Sequence, residues 1–209
     1  MNLNLIKKIR TLRRKIEEEI KNKLKDFKKN FNTSSEQKFL ELCFCILVAN
    51  TSIQKSQEVF RKIGRGFLYL QKDKLKKKLK KAGYRFYNKR TEYIISARRF
   101  IKKLNFISKD KNEKELREWL VDNIKGIGWK EASHFLRNLG FKNFAILDRH
   151  VLKILDKYKL LDKIPLTLSM KNYLEIEAKL KNIADHLKIT PAELDLYLFY
   201  LDTERICER

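Results

Sequence analysis

Gly126 and Gly128, separated by one residue, break a long run of helical periodicity and limit what this chain can build. Leu116, Trp119, Leu120 and Ile124 recur at helical spacing before them, and Ala132, Phe135, Leu136 and Leu139 do so after them. Gly140 ends the second run, as a glycine just past a helix does. The pattern predicts two helices over 113–139 joined by a tight turn. The chain has only six glycines and two prolines, so long helices and short turns are expected elsewhere too. Glycines at alternate positions let backbone approach a ligand closely. The second helix aims its unpaired N–H groups and positive dipole end beyond the turn. That geometry suits a phosphate, although a bare Gly-x-Gly fits an ordinary helix–helix turn at least as well.

Three further features narrow the reading. Lys130 falls in the first turn of the second helix, and Asp148 opens the next helix. The chain is also strongly basic, with 49 Lys and Arg against 26 Asp and Glu and a net charge of +23. Such an excess calls for a polyanionic partner. Nucleic acid fits better than a membrane, because no apolar run approaches the roughly 18–20 residues that span a bilayer. A thermophile's lysine-rich surface is the bland alternative, but glutamate usually rises with lysine there. A hydrophobic fraction of 43% supports a packed core. The first residues are charged and amphipathic, with no signal-peptide pattern.

In chain order, residues 2–30 predict one or two basic helices with an apolar stripe of Leu5, Ile6, Ile9, Leu12, Ile16 and Ile20. Ser34 and Gln37 have capping-box spacing, so a helix begins near Ser35. Its second half is almost wholly apolar, which marks a core helix. Cys43 and Cys45 read as core cysteines, and an odd total of three argues for a reducing interior. Helices are further expected over 53–63, over 72–82 with Leu75 and Leu79, through Tyr93, Ile94, Ala97 and Phe100 after the run Gly83–Arg90, and from about Lys171 to Leu187. Thr190-Pro191-Ala192-Glu193 is a strong helix start. The last helix, through Leu194 to Leu201, is too apolar for a free tail.

The stretch Ile124-Lys125-Gly126-Ile127-Gly128-Trp129-Lys130-Glu131-Ala132, followed by Leu147-Asp148-Arg149-His150, resembles the helix-hairpin-helix DNA glycosylases. It departs from their pattern at Lys125, where proline is usual. The resemblance covers about Glu36 to Leu155 and implies an all-α fold of two helical lobes with a DNA-facing cleft between them. The central lobe would run from about 35 to 145, and residues 1–34 with 146–209 would form the other. The resemblance makes Lys130 and Asp148 the catalytic pair. It assigns DNA contacts to Gly126, Ile127 and Gly128; Lys125, at the departure, and Arg149 are further candidate DNA contacts. Asn50 occupies the place of an amide side chain that enters the duplex, or else it simply caps its helix. No metal site is implied; a monovalent cation at the hairpin is the one candidate cofactor. The four-cysteine iron–sulfur cluster of some relatives cannot be built here.

The implied chemistry breaks the bond between a base and its deoxyribose. A carboxylate stabilises the positive charge that develops on the sugar, and a lysine amine attacks the sugar carbon to form a Schiff base. β-Elimination then nicks the strand 3′ to the site. An ordinary lysine amine is protonated and inert near neutral pH; burial, the positive helix end and the cationic surround are the available means of freeing it. The base must leave the stack to be reached. Phe86 and Phe199 are candidate pocket walls, and the terminal carboxylate of Arg209 is a candidate acceptor for a damaged purine. The compact form of the motif, with the terminal Glu193-Leu194-Asp195-Leu196-Tyr197 helix, looks like the archaeal 8-oxoguanine DNA glycosylase/AP lyases. The expected partner is double-stranded DNA containing 8-oxoguanine, bound by a monomer in the cytoplasm at the nucleoid. A glycosylase for another oxidised or alkylated base, or a non-catalytic hairpin that binds DNA, are the alternatives.

Overall fold

The computed structural model describes residues 2–107, 111–165 and 167–206, and every regular element among them is a helix. The chain divides into two compact units. One comprises Asn30–Phe135; the other joins Met1–Lys29 to Leu136–Arg209.

The central unit is built on α2 (Ser35–Val48), whose residues from Lys38 onward are all buried. Ser34 starts it, accepting a hydrogen bond from the Gln37 N–H at 3.2 Å. Phe39, Leu42, Phe44 and Leu47 are sealed on every side, each such side chain contributing about 1.5–3 kcal/mol of burial. Cys43 and Cys45 lie within the same helix and have no solvent exposure. Around α2 pack α3 (Ile53–Ile63), the short α4 (Gly66–Tyr69) and α6 (Tyr87–Ala97). The lysine-dense α5 (Lys72–Lys81) lies on α6, with Leu75 and Leu79 buried. The helical run expected to reach Phe100 instead tightens after Ala97 into two 3-10 turns, Arg98–Phe100 and Lys102–Phe106. Arg98 reaches back to the Phe67 carbonyl at 2.9 Å, anchoring the bend. Next come α7 (Glu113–Asn123) and α8 (Trp129–Asn138).

The terminal unit contains α1 (Leu3–Asn30), a single helix burying Leu5, Ile6, Ile9, Leu12, Ile16, Ile20 and Phe27. α9 (Arg149–Lys157), α10 (Met170–Leu187) and α11 (Pro191–Thr203) complete it, with α11 packed on both of the others. Thr190 caps α11 through the Glu193 N–H at 3.2 Å, with Pro191 in the first turn. The unit boundary falls within α8, ahead of the division after 145 read from the sequence. The reason lies in hydrogen bonds: Lys142 O accepts from the Ala192 N–H, Ala145 O from Tyr173, and Asp195 from the Ile146 N–H. These contacts bind the linker at 142–146 to α10 and α11.

Candidate active site

The hairpin forms as its spacing predicts. Gly126 has φ +83°, a conformation open to glycine, and a Cβ there would lie 2.2 Å from Tyr93 Cδ2. The turn backbone therefore rests on the Tyr93 ring, which no other residue type would allow. Ile127 is buried and gives its N–H to the Ile124 carbonyl at 3.1 Å, so it closes the turn. Lys125 is exposed beside it. Arg117 packs its guanidinium 4.8 Å from the Trp129 ring and reaches Ser133 Oγ at 3.2 Å, tying α7 to α8.

Lys130 lies in the first turn of α8, one-quarter exposed. Its Nζ is 3.2 Å from Glu131 Oε1. The other carboxylate oxygen of Glu131 accepts the Gly128 N–H at 3.3 Å. Gly128 is itself the residue whose carbonyl begins the helix, receiving the Ala132 N–H at 2.9 Å. Glu131 thus stands where the glutamate of a capping box stands, and one carboxylate spans the hairpin amide and the lysine amine.

A second cluster in the same unit centres on Arg90. Its Nη2 donates to the Ala49 carbonyl at 2.6 Å, at the end of α2. Its guanidinium lies 5.6 Å from the Phe86 ring and 5.5 Å from the Tyr93 ring. Tyr84 donates to Leu47 O at 2.6 Å and meets Phe86 edge-on. Arg90 and Tyr93 thereby connect three sites named from the sequence: Asn50, Phe86 and the Gly126 turn. Asn50 is exposed, with φ +60°, just past the end of α2. Phe86 is half-buried, and Arg85 covers it at 4.3 Å. The sequence places Arg90 at the end of an aromatic-basic run and Tyr93 on the apolar stripe that follows, but it does not name the partners that either one meets.

In the terminal unit, Asp148 caps α9. Its Oδ1 accepts from His150 N–H at 2.9 Å and Val151 N–H at 3.0 Å, which leaves Oδ2 outside that cap. The His150 ring is held by Asp202 of α11, with Nδ1 2.5 Å from Oδ2, and meets Phe199 edge-on at 5.1 Å. Arg149 is exposed and directs its Nε toward His150 Nε2 at 3.4 Å. Behind this cap, Asp195 accepts from the Ile146 N–H at 2.9 Å and pairs with Arg137. Phe199 is half-buried. Arg209 and Cys207 lie outside the described residues. His150, Asp202 and Asp195 carry geometry that the sequence reading did not assign. The Asp148–His150 spacing was a visible signal for the first of them.

Comparison with known proteins gives consistent matches. A family model described as 8-oxoguanine DNA glycosylase matches residues 20–189. A Methanocaldococcus jannaschii protein named 8-oxoguanine DNA glycosylase/AP lyase is 48% identical over 203 residues, covering 97% of this chain and 98% of its own. A Korarchaeum cryptofilum protein of the same name is 42% identical over 193 residues, 92% of this chain and 91% of its own. The crystal structure of the Methanocaldococcus jannaschii glycosylase/lyase in complex with a 15mer DNA containing 8-oxoguanine superposes with TM-score 0.94 at 47% identity, covering 98% of this chain and 99% of that one. The 8-oxoguanine DNA glycosylase of Thermotoga maritima superposes with TM-score 0.92 at 37% identity over the full length of both.

Proposed function

The chain belongs to the 8-oxoguanine DNA glycosylase family, and from that membership we propose a bifunctional repair enzyme in which Lys130 is the nucleophile and Asp148 the stabilising carboxylate. It removes 8-oxoguanine from DNA and then cleaves the strand at the resulting abasic site. The observation that carries the residue assignment is the location of each group at a helix start. Lys130 lies in the first turn of α8, beside the glycine hairpin. Asp148 caps α9 through one oxygen only.

In the proposed reaction the Lys130 amine attacks C1′ of the damaged nucleotide. The C1′–base bond breaks as the Asp148 carboxylate balances the positive charge growing on the sugar. The resulting amine adduct rearranges to a Schiff base, and loss of a 2′ proton expels the 3′ phosphate. The Gly126–Gly128 hairpin approaches a DNA phosphate through backbone amides, with Lys125 and Arg149 adding charge. If a monovalent cation binds at this turn, the backbone of Gly126–Gly128 would hold it, and it would supply positive charge toward the phosphate. By the family resemblance, Phe86 and Phe199 are the candidates to stack on the flipped base. Duplex DNA is the partner, bound by a monomer. No helix among the described residues is long and apolar enough to cross a membrane.

Borohydride trapping tests the reading. The wild-type chain should become covalently linked to duplex containing 8-oxoguanine, more than to duplex carrying other damaged bases, and Lys130→Gln should not be trapped at all. A Lys130→Gln protein that still forms the adduct would move the nucleophile elsewhere.

A further inference from the structure

We propose that Glu131 is the proton acceptor that activates Lys130, and that docking of a DNA phosphate on the hairpin releases it for that task. The inference rests on Lys130 being the nucleophile. The Glu131 side chain is 15% exposed and divided between two partners. Oε2 holds the Gly128 N–H at 3.3 Å and Oε1 holds the Lys130 amine at 3.2 Å. The two partners make opposite demands. The hairpin amide is the kind of donor that a backbone phosphate takes, so an arriving phosphate competes with the carboxylate for it. The amine, in turn, is useless as a nucleophile while it carries its third proton.

Among the described residues, no other carboxylate is recorded within ion-pair distance of Lys130 Nζ. Glu131 is adjacent in sequence and shares the first turn of the same helix, so no change of fold is needed for the transfer. An Nζ–H bond breaks and an Oε1–H bond forms. The lone pair left on Nζ then attacks C1′, and the base leaves with the electron pair of its C1′–N9 bond, drawing its proton from solvent. Glu131 returns the proton to solvent once the base has gone. A phosphate on the hairpin favours this direction twice, by taking the amide from Oε2 and by placing negative charge beside the carboxylate, which promotes its protonation. Binding of DNA and readiness of the nucleophile are then one event.

A capping-box glutamate is replaceable by glutamine, which offers the same carbonyl oxygen to the amide. Glu131→Gln therefore keeps the cap and removes the base. Its melting temperature should stay within a few degrees of wild type, and its affinity for undamaged duplex should be equal or higher. At pH 7 single-turnover excision and borohydride trapping should both fall about a hundredfold, a usual size for loss of a proton acceptor. As the pH is raised toward 10, solvent takes over the deprotonation, and the variant should approach the wild-type rate. A variant within threefold of wild type at pH 7 would overturn the proposal, as would a deficit that persists unchanged to high pH, which marks a structural defect. Lys130→Gln, assayed alongside, keeps the two ideas apart. Trapping of that variant would dismiss the nucleophile itself, whereas an active Glu131→Gln beside an inert Lys130→Gln would dismiss only the role given to Glu131.

Discussion

Arg137 and Asp195, 58 residues apart in sequence, meet at 2.6 Å with each side chain only 3% exposed. The second oxygen of Asp195 takes the Ile146 N–H, and the Ile146 carbonyl takes the Asp148 N–H at 2.8 Å. A buried pair thus sits two hydrogen bonds from the backbone of the proposed stabilising carboxylate. Burial pushes the Asp195 carboxyl up to about 6, opposed by Arg137 and reinforced by the Asp148 charge. The direction follows from full burial, which the nearby guanidinium only partly offsets.

Stability should record that titration. An unfolded aspartate titrates near 3.9, so between about pH 4 and 6 the folded chain holds a proton that the unfolded chain has lost. The contribution of Asp195 is present in full below about pH 4 and is lost as the pH rises through about 6. Two units correspond to roughly 3 kcal/mol. The comparison is with the double variant Arg137→Gln/Asp195→Asn, which leaves no lone buried charge. Urea unfolding should find the advantage of wild type over this variant smaller at pH 7 than at pH 4, by an amount of that order. A pH-independent difference would contradict the titration.

Asp148→Asn separates chemistry from capping. Asparagine offers the same oxygen to the His150 and Val151 N–H groups and is as good a cap. The melting temperature should stay near wild type while single-turnover excision falls a hundredfold or more. A rate within threefold would reduce Asp148 to a helix cap.

Gly126→Ala meets two obstacles, a φ of +83° and the Tyr93 ring 2.2 Å from the new methyl. The ring or the turn must shift, at about 1–3 kcal/mol. Duplex affinity should fall as well, since the turn that presents the amides is displaced. Chemical denaturation and a binding titration measure both; a variant as stable and as tight as wild type would mean that the turn tolerates a side chain.

Binding to undamaged duplex should weaken steeply with salt, because a chain of net charge +23 displaces counterions from phosphate. The slope of log affinity on log salt counts the phosphate contacts, and Lys125→Gln should make it shallower by about one. A flat wild-type plot would remove the electrostatic account of binding.

Local signals were the legible ones. Ser34, Asp148 and Thr190 announce their helices because a cap is written within four residues. The hairpin was legible because two glycines stand out in a glycine-poor chain. The tightening at Arg98–Phe106 was hidden, since apolar residues keep recurring through a 3-10 turn. The roles of Arg90 and of the Arg137–Asp195 pair were illegible for a different reason. Each depends on partners far along the chain, and no periodicity marks an arginine that faces inward. Glu131 falls between the two kinds. Its spacing from Gly128 is that of a cap, but its grip on Lys130 requires the rotamer that only the folded turn selects.

The burial of Cys43 and Cys45 has a use in measuring the molecule. Sulfur is the most readily oxidised element in a chain, and the thiolate is its vulnerable form. Burial raises the Cys43 thiol well above its ordinary value, and neither side chain is exposed. A member of a family concerned with oxidised bases therefore shields these two sulfurs from the oxidants that create its substrate. The same seal makes them a clock. In a Cys207→Ser background, alkylation can proceed only when α2 parts from its neighbours, so the labelling rate reads the opening free energy of the central unit.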